Sequence, residues 1–314
     1  MKTIIALSNF TLDRTHFRTF SELEQSLSNL EGIKNQFKQA EIEFSVGTDI
    51  LSHSGFGPSI IDQLENFSYC EDQQVIGALV QTLFQKYLIG YILSSTTDEL
   101  MLAAQTPISN ASQYHHILYV PFLNIVRNRL FKTDEEFSEH YEKVLANYPT
   151  SHTSYYERAK SHFDNILFHH DAAYTLTRVE GDFKDFSISF TNCLSALNGF
   201  SPTDIAGAEE RKRATNSITK YKCTGQGYSH KNFKFDFPHP SGDETQEFEL
   251  TCQYHLKPSD NNTVGDDTFY QNRIYFGFYP VGEKLWKVAV AAIGPHINTD
   301  NEDDRYAKPK NFNN

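Results

Sequence analysis

Positive charge is what this chain has too little of: 28 Lys and Arg stand against 40 Asp and Glu, a net charge of −12. That balance argues against a general, salt-driven nucleic-acid binder, which needs a basic surface. Cysteine is scarce as well. Four residues (Cys70, Cys193, Cys223 and Cys252) in 314 do not make a disulfide framework. Long apolar runs are missing. The longest, Val75 to Leu93, is interrupted by Gln81, Gln85 and Lys86, which predicts a buried helix at the centre of a first core and no membrane partner. The opening Met1-Lys-Thr-Ile-Ile-Ala-Leu starts like a signal peptide, but its apolar run stops at Ser8-Asn9 and no small-residue cleavage site follows. It is expected to be a first strand, and the location cytoplasmic. Gly225-Gln-Gly227 lacks the third glycine and the strand-to-helix setting of a phosphate-binding loop. No Ser or Cys nucleophile motif is present, and no cofactor is expected.

What is there begins with uneven charge. Acidic residues concentrate at Glu22–Glu65, Asp134–Glu142, Asp182–Glu210 and Asp300–Asp304, while Arg211, Lys212, Arg213, Lys220, Lys222, Lys231 and Lys234 form a basic cluster. An acidic body with one basic patch fits a protein that meets an anionic partner at a single place, or one exposed basic turn. Apolar residues from Phe20 to Phe37 recur three or four apart, and Ser21 with Glu24 forms a capping box, so the spacing predicts a helix over 20–44. Pro58 suits the start of another. Helices are also predicted over 112–131, over 134–147 with Thr133 as cap and acidic residues in the first turn, and over 152–180. Residues 184–198 read equally as helix or strand. After Ser201-Pro202 short alternating runs take over. The fold class expected is α+β: a mainly helical N-terminal module (1–200, regulatory or partner-binding), a small mixed β-sheet C-terminal module (201–300), and a flexible tail (301–314).

Three of those runs carry reactive side chains: Glu247–Lys257, Arg273–Tyr279 and Lys287–His296. In the first, the even positions from Phe248 to Leu256 are apolar and the odd ones polar, so His255 and Lys257 share a face, about 7 Å apart. In the second, Arg273 and Tyr275 share a face. These are the side chains that handle phosphate without a metal. A histidine takes or gives a proton near neutral pH, Lys and Arg steady phosphorane charge, and a tyrosine donates a proton or stacks on an unpaired base.

The pattern His255-Leu-Lys257, Arg273-Ile-Tyr275-Phe276 and Ile293-Gly294-Pro-His296 resembles the RelE/ParE toxin superfamily over about residues 250–297. In that family a small twisted sheet packs on helices, and ribosome-dependent members cut mRNA without a metal. The chain departs from the family pattern in having Ile297 where a final Arg is usual, a long connection from Lys257 to Arg273, and a strand-like segment before His255. The resemblance implies a bacterial toxin-like or antiphage-defence endoribonuclease. His255, Lys257, Arg273 and Tyr275 would be catalytic, and His230, Lys231, Lys234 and His296 would bind substrate. RNA or a ribosome would be the target, with a protein partner or regulatory subunit expected.

Three alternatives remain open. The same face grips nucleic acid or protein in a defence complex and cuts nothing. A metal-dependent nuclease would use Asp236 and Glu249 with Lys257. Zinc would be held by Cys223 with His230 and Cys252 with His255, residue types that suit a tetrahedral site, although a regular strand points Cys252 and His255 to opposite faces. The histidines at 115, 116, 162, 169 and 170 are expected to be packing residues of amphipathic helices.

Overall fold

Near-continuous apolar runs and alternating ones both become strands here. A computed structural model of the chain describes residues 3–7, 42–55, 58–65, 78, 81–82, 85–86, 88–106, 115–119, 130–131, 134–147, 149, 151–179, 183–200, 213, 216, 223–225, 233–242, 246–258, 272–283 and 285–297. The chain divides into two compact units, 1–141 and 142–314, so the division falls inside a helix and not at the compositional change near residue 200. The class is α+β. No helix among the described residues is long and apolar enough to cross a membrane.

The first unit is built on a parallel sheet. β1 (Thr3–Leu7) pairs with β2 (Ile42–Val46) on one side and with β3 (His115–Tyr119) on the other, and β3 pairs with β4 (Leu130–Phe131). The order is β2-β1-β3-β4, and Ile92 adds a parallel bridge to Ser45 on the outer edge of β2. The chain therefore winds outward from β1 in both directions, as in doubly wound sheets. The first strand lies where the sequence predicts it. The helix predicted over 112–131 is instead β3 and β4. His-His-Ile-Leu-Tyr carries no period-two signal, and its strand state comes from parallel pairing with β1. The described end of the helix predicted over 20–44 is β2; residues 20–41 lie outside the described residues. Of the stretch 75–93, Leu88 is buried, whereas Ala78, Gln81, Thr82, Gln85, Lys86 and Ile89 are exposed.

Two short helices follow β2 and Ile92. They are α1 (Ile60–Glu65) and α2 (Thr97–Gln105), the latter opened by a capping box of Thr96 and Glu99. Helix α3 (Asp134–Asn147) matches its predicted span, and its Phe137 and Tyr141 pack with Ile5.

The second unit carries a five-stranded mixed sheet, order β5-β11-β10-β9-β6. β6 is Cys223–Gly225, β9 Tyr254–Leu256, β10 Asn272–Gly282 and β11 Leu285–Pro295. β5 (Ile166–Phe168) interrupts what reads as one helix over 152–180. It separates α4 (His152–His162) from α5 (Asp171–Leu176) and pairs in parallel with β11. Residues 184–198 form α6.

One face of this sheet, with Ile274, Phe276, Val290 and Ile293, packs on the helices through Tyr155, Phe163, Leu176, Phe190 and Leu194. The other face, with Tyr275, Ala289 and Ala291, is covered by the aromatic side of a two-stranded hairpin, β7 (Lys234–Pro238) and β8 (Glu247–Thr251), through Phe233, Phe235, Phe237 and Leu250. Strand alternation and this second cover explain why β10 is buried for most of its length rather than half-exposed.

Candidate functional site

Register places the site. Antiparallel pairing sets Thr224, His255, Tyr275 and Ala292 side by side across β6, β9, β10 and β11. Directly opposed residues share a face, so these four form one row. Leu256, Ile274 and Ile293 form the neighbouring row on the helix-covered face. Lys257 and Arg273 each lie two residues from a member of the first row, and both are half-buried. Carrying the register one step past Ile274↔Leu256 sets them opposite each other.

The structure thus brings four of the sequence-predicted residues together and adds a fifth. The His296 ring lies 6.5 Å from that of Tyr275, edge-on, and the Ile297 N–H donates to the Tyr275 hydroxyl at 3.0 Å. The His255 and Tyr275 rings are 5.5 Å apart.

His255 is 7% exposed. Its Nε2 pairs with the Thr224 hydroxyl at 2.5 Å, and its Nδ1, fully buried, has no hydrogen-bond partner among the described residues. Burial, and then the charges of Arg273, Lys257 and His296, push its pKa from an ordinary 6.5 down to about 3. The imidazole is therefore neutral at pH 7. Besides burial, the groups that act on it are the side chains of Arg273, Lys257 and His296.

This has a consequence for stability. The unfolded chain takes up a proton at this residue near pH 6.5 and the folded chain only near pH 3, so stability falls as pH drops through that window. The size of the effect is on the order of 5 kcal/mol for this one group. The His255→Gln variant has no such titration. It is expected to lose about 2–3 kcal/mol less than the wild type between pH 7.5 and pH 4.5 in urea unfolding. Equal losses in the two proteins would refute the assignment.

The role expected of Tyr275 changes, and other predicted residues fall elsewhere. Tyr275 is fully buried against Phe233 and His255, so it has no ring face to offer a base, and its geometry suits holding His296 and His255 in place. Lys234 belongs to the β7–β8 hairpin and forms an ion pair with Glu249. His230 and Lys231, like the tail 301–314, lie outside the described residues.

The candidate metal-nuclease acids Asp236 and Glu249 are a cross-strand pair on that hairpin, away from the strand that carries His255 and Lys257. The two cysteines of the candidate zinc site do not meet on one face of the sheet. Cys223 belongs to the core on the helix side and Cys252 to the core under the hairpin, and both are free thiols. Thr224, which orients His255, has no signal in the sequence. Its partner is 31 residues away and is supplied by strand pairing alone. The chain matches no protein-family model, no curated protein and no solved structure.

Proposed function

We propose that the second unit handles the phosphodiester of RNA at the His255–Arg273 cluster and cleaves it without a metal, as a toxin-like or antiphage-defence endoribonuclease. The observation that carries the reading is a buried imidazole, its Nδ1 unpartnered among the described residues, close enough to Arg273, Lys257 and His296 for their charges to depress it. A phosphate docked on Arg273, Lys257 and His296 offsets the charges that depress His255, and so raises its pKa toward the working range of a base. Nδ1 then takes the 2′-OH proton, the 2′ oxygen bonds to phosphorus, and the bond from phosphorus to the 5′ oxygen breaks. His296, exposed at the rim, returns a proton to that leaving oxygen. The products are a 2′,3′-cyclic phosphate and a 5′-hydroxyl. Arg273 and Lys257 hold the charge that builds on the equatorial oxygens. The resemblance of these strands to RelE/ParE toxins supports the same chemistry. The acidic composition favours an RNA steered to this one site, on a ribosome or by a protein partner in the cytoplasm, with the first unit regulating or docking.

One observation favours a second reading, in which the site grips a phosphate or an acidic protein partner of a defence complex and cuts nothing. His255 is hard to protonate and largely enclosed. Expressing the wild type and His255→Ala in growing bacteria and examining total RNA separates the two. Growth arrest with fragmented RNA from the wild type alone supports cleavage. If His255→Ala keeps full activity while Arg273→Ala abolishes binding, the site is a binding module.

A further inference from the structure

A second cluster lies on the opposite edge of the same sheet, three strands from β9 in the order β5-β11-β10-β9. At the usual spacing of strands that is about 14 Å away. Here β5 ends and α5 begins, and the consecutive residues His169, His170 and Asp171 turn their polar atoms toward one another. One ligand atom from each lies within 4.8 Å of the other two, and this is the group of three such side chains found among the described residues.

The two histidines differ in a useful way. His169 is buried, with its ring edge-on to Phe235 and Phe237 at 5.2 Å each. Its backbone is fixed as well: its N–H donates to the Val290 carbonyl, and its carbonyl accepts from the Tyr156 hydroxyl. The His170 side chain is 84% exposed, with solvent rather than core packing around most of its ring. A fixed ligand beside an adjustable one suits capture of an ion from solvent.

The hydrogen bonding shows where the ion would sit. The Asp171 N–H donates to His169 Nδ1 at 3.1 Å, so that nitrogen carries a lone pair and not a proton. The same Nδ1 stands 3.7 Å from Asp171 Oδ2. That lone pair accepts from the Asp171 N–H, and a bound ion would take it over. The other carboxylate oxygen is 3.2 Å from His170 Nε2, and the two imidazole rings are 4.0 Å apart.

We infer that His169, His170 and Asp171 form a binding site for a divalent transition-metal ion of the zinc class. Two imidazoles and one carboxylate match the ligand preference of zinc, cobalt or nickel and not that of magnesium or calcium, which take oxygen. Bonds of about 2.0–2.1 Å in a tetrahedral arrangement put ligand atoms about 3.4 Å apart. The observed spacing reaches that by rotation of His170, and the fourth position stays open to solvent. The ion would tie the end of β5 to the start of α5. It is separate from the chemistry proposed at His255 and does not depend on it.

The test uses the full chain, free of any histidine tag and stripped of metal by a chelator. Zinc chloride is titrated by calorimetry, and cobalt(II) binding is read from its visible absorption. One equivalent of zinc is expected to bind, with magnesium giving no heat. His170→Ala is expected to weaken zinc binding beyond the roughly 10–100-fold that changes outside the ligand set cost. Because His170 is exposed, the variant keeps its fold, which circular dichroism verifies. Asp171→Asn is expected to weaken binding likewise and to change the cobalt spectrum. No zinc uptake by the wild type, or uptake that His170→Ala and Asp171→Asn leave unchanged, overturns the assignment.

Discussion

His255→Ala is expected to slow cleavage of a short single-stranded RNA by about 10²- to 10⁴-fold, the span of a lost general base. RNA affinity should hardly change, because the buried ring offers an anion little charge at pH 7. Arg273→Ala is expected to do the reverse first: to weaken binding and lower the salt dependence of binding by about one counterion.

The pH profile gives a sharper check. In the free protein the His255 pKa is about 3. The acid limb of kcat/KM should therefore fall far below pH 6.5, where an ordinary histidine base would place it. With RNA bound, the phosphate offsets Arg273, Lys257 and His296, so the limb of kcat should move upward from that of kcat/KM. An acid limb near pH 6.5 in kcat/KM, or full activity in His255→Ala, would remove this residue from the mechanism.

Gly294→Ala is expected to destabilise the second unit by about 3 kcal/mol. Gly294 has φ of +145°, a backbone conformation that disfavours a side chain, and an added Cβ would lie 2.4 Å from the Thr175 carbonyl oxygen. That oxygen belongs to α5, whose Thr175 hydroxyl also accepts from the Ile293 N–H at 3.0 Å. The clash is between backbones, so no rotamer relieves it. α5 must lift from β11 or the strand must bend. Either way the end of β11 shifts, and His296 follows two residues later. The melting temperature should drop by on the order of 10 °C, with loss of whatever activity the wild type shows. Gly225→Ala is the control, since an added Cβ there meets nothing within 4 Å. Equal stability in the two variants would show that the close approach of α5 to β11 is not constraining.

The sequence made much of the site legible. Alternation in 247–257 and 273–279 marked strands, and register sets His255 beside Tyr275, but the first run breaks at Cys252-Gln253 into β8 and β9, with Leu250 and Cys252 in the core under the hairpin and Tyr254 and Leu256 in the core on the helices. The helix expected over 134–147 is α3. What alternation does not carry is which face is covered. The polar face of β9 and β10 reads as half-exposed, yet Tyr275 is fully buried and His255 nearly so, because the hairpin β7–β8 and the turn at Ile297 close over it.

Taken alone, the sequence determined the class, the run of strands after residue 220 and the identity of the cationic groups, since these rest on local periodicity and composition. Tertiary structure decided the rest. The parallel strands β2, β3 and β4 have no local signature, and β5 is a strand only because Ile166 finds Val288 across the sheet. Thr224 reaches His255, and the cations depress its pKa, only once β6, β9 and β10 align. Pairing between distant segments and the exclusion of water are properties of the assembled sheet. They turn a polar strand residue into a buried, neutral imidazole.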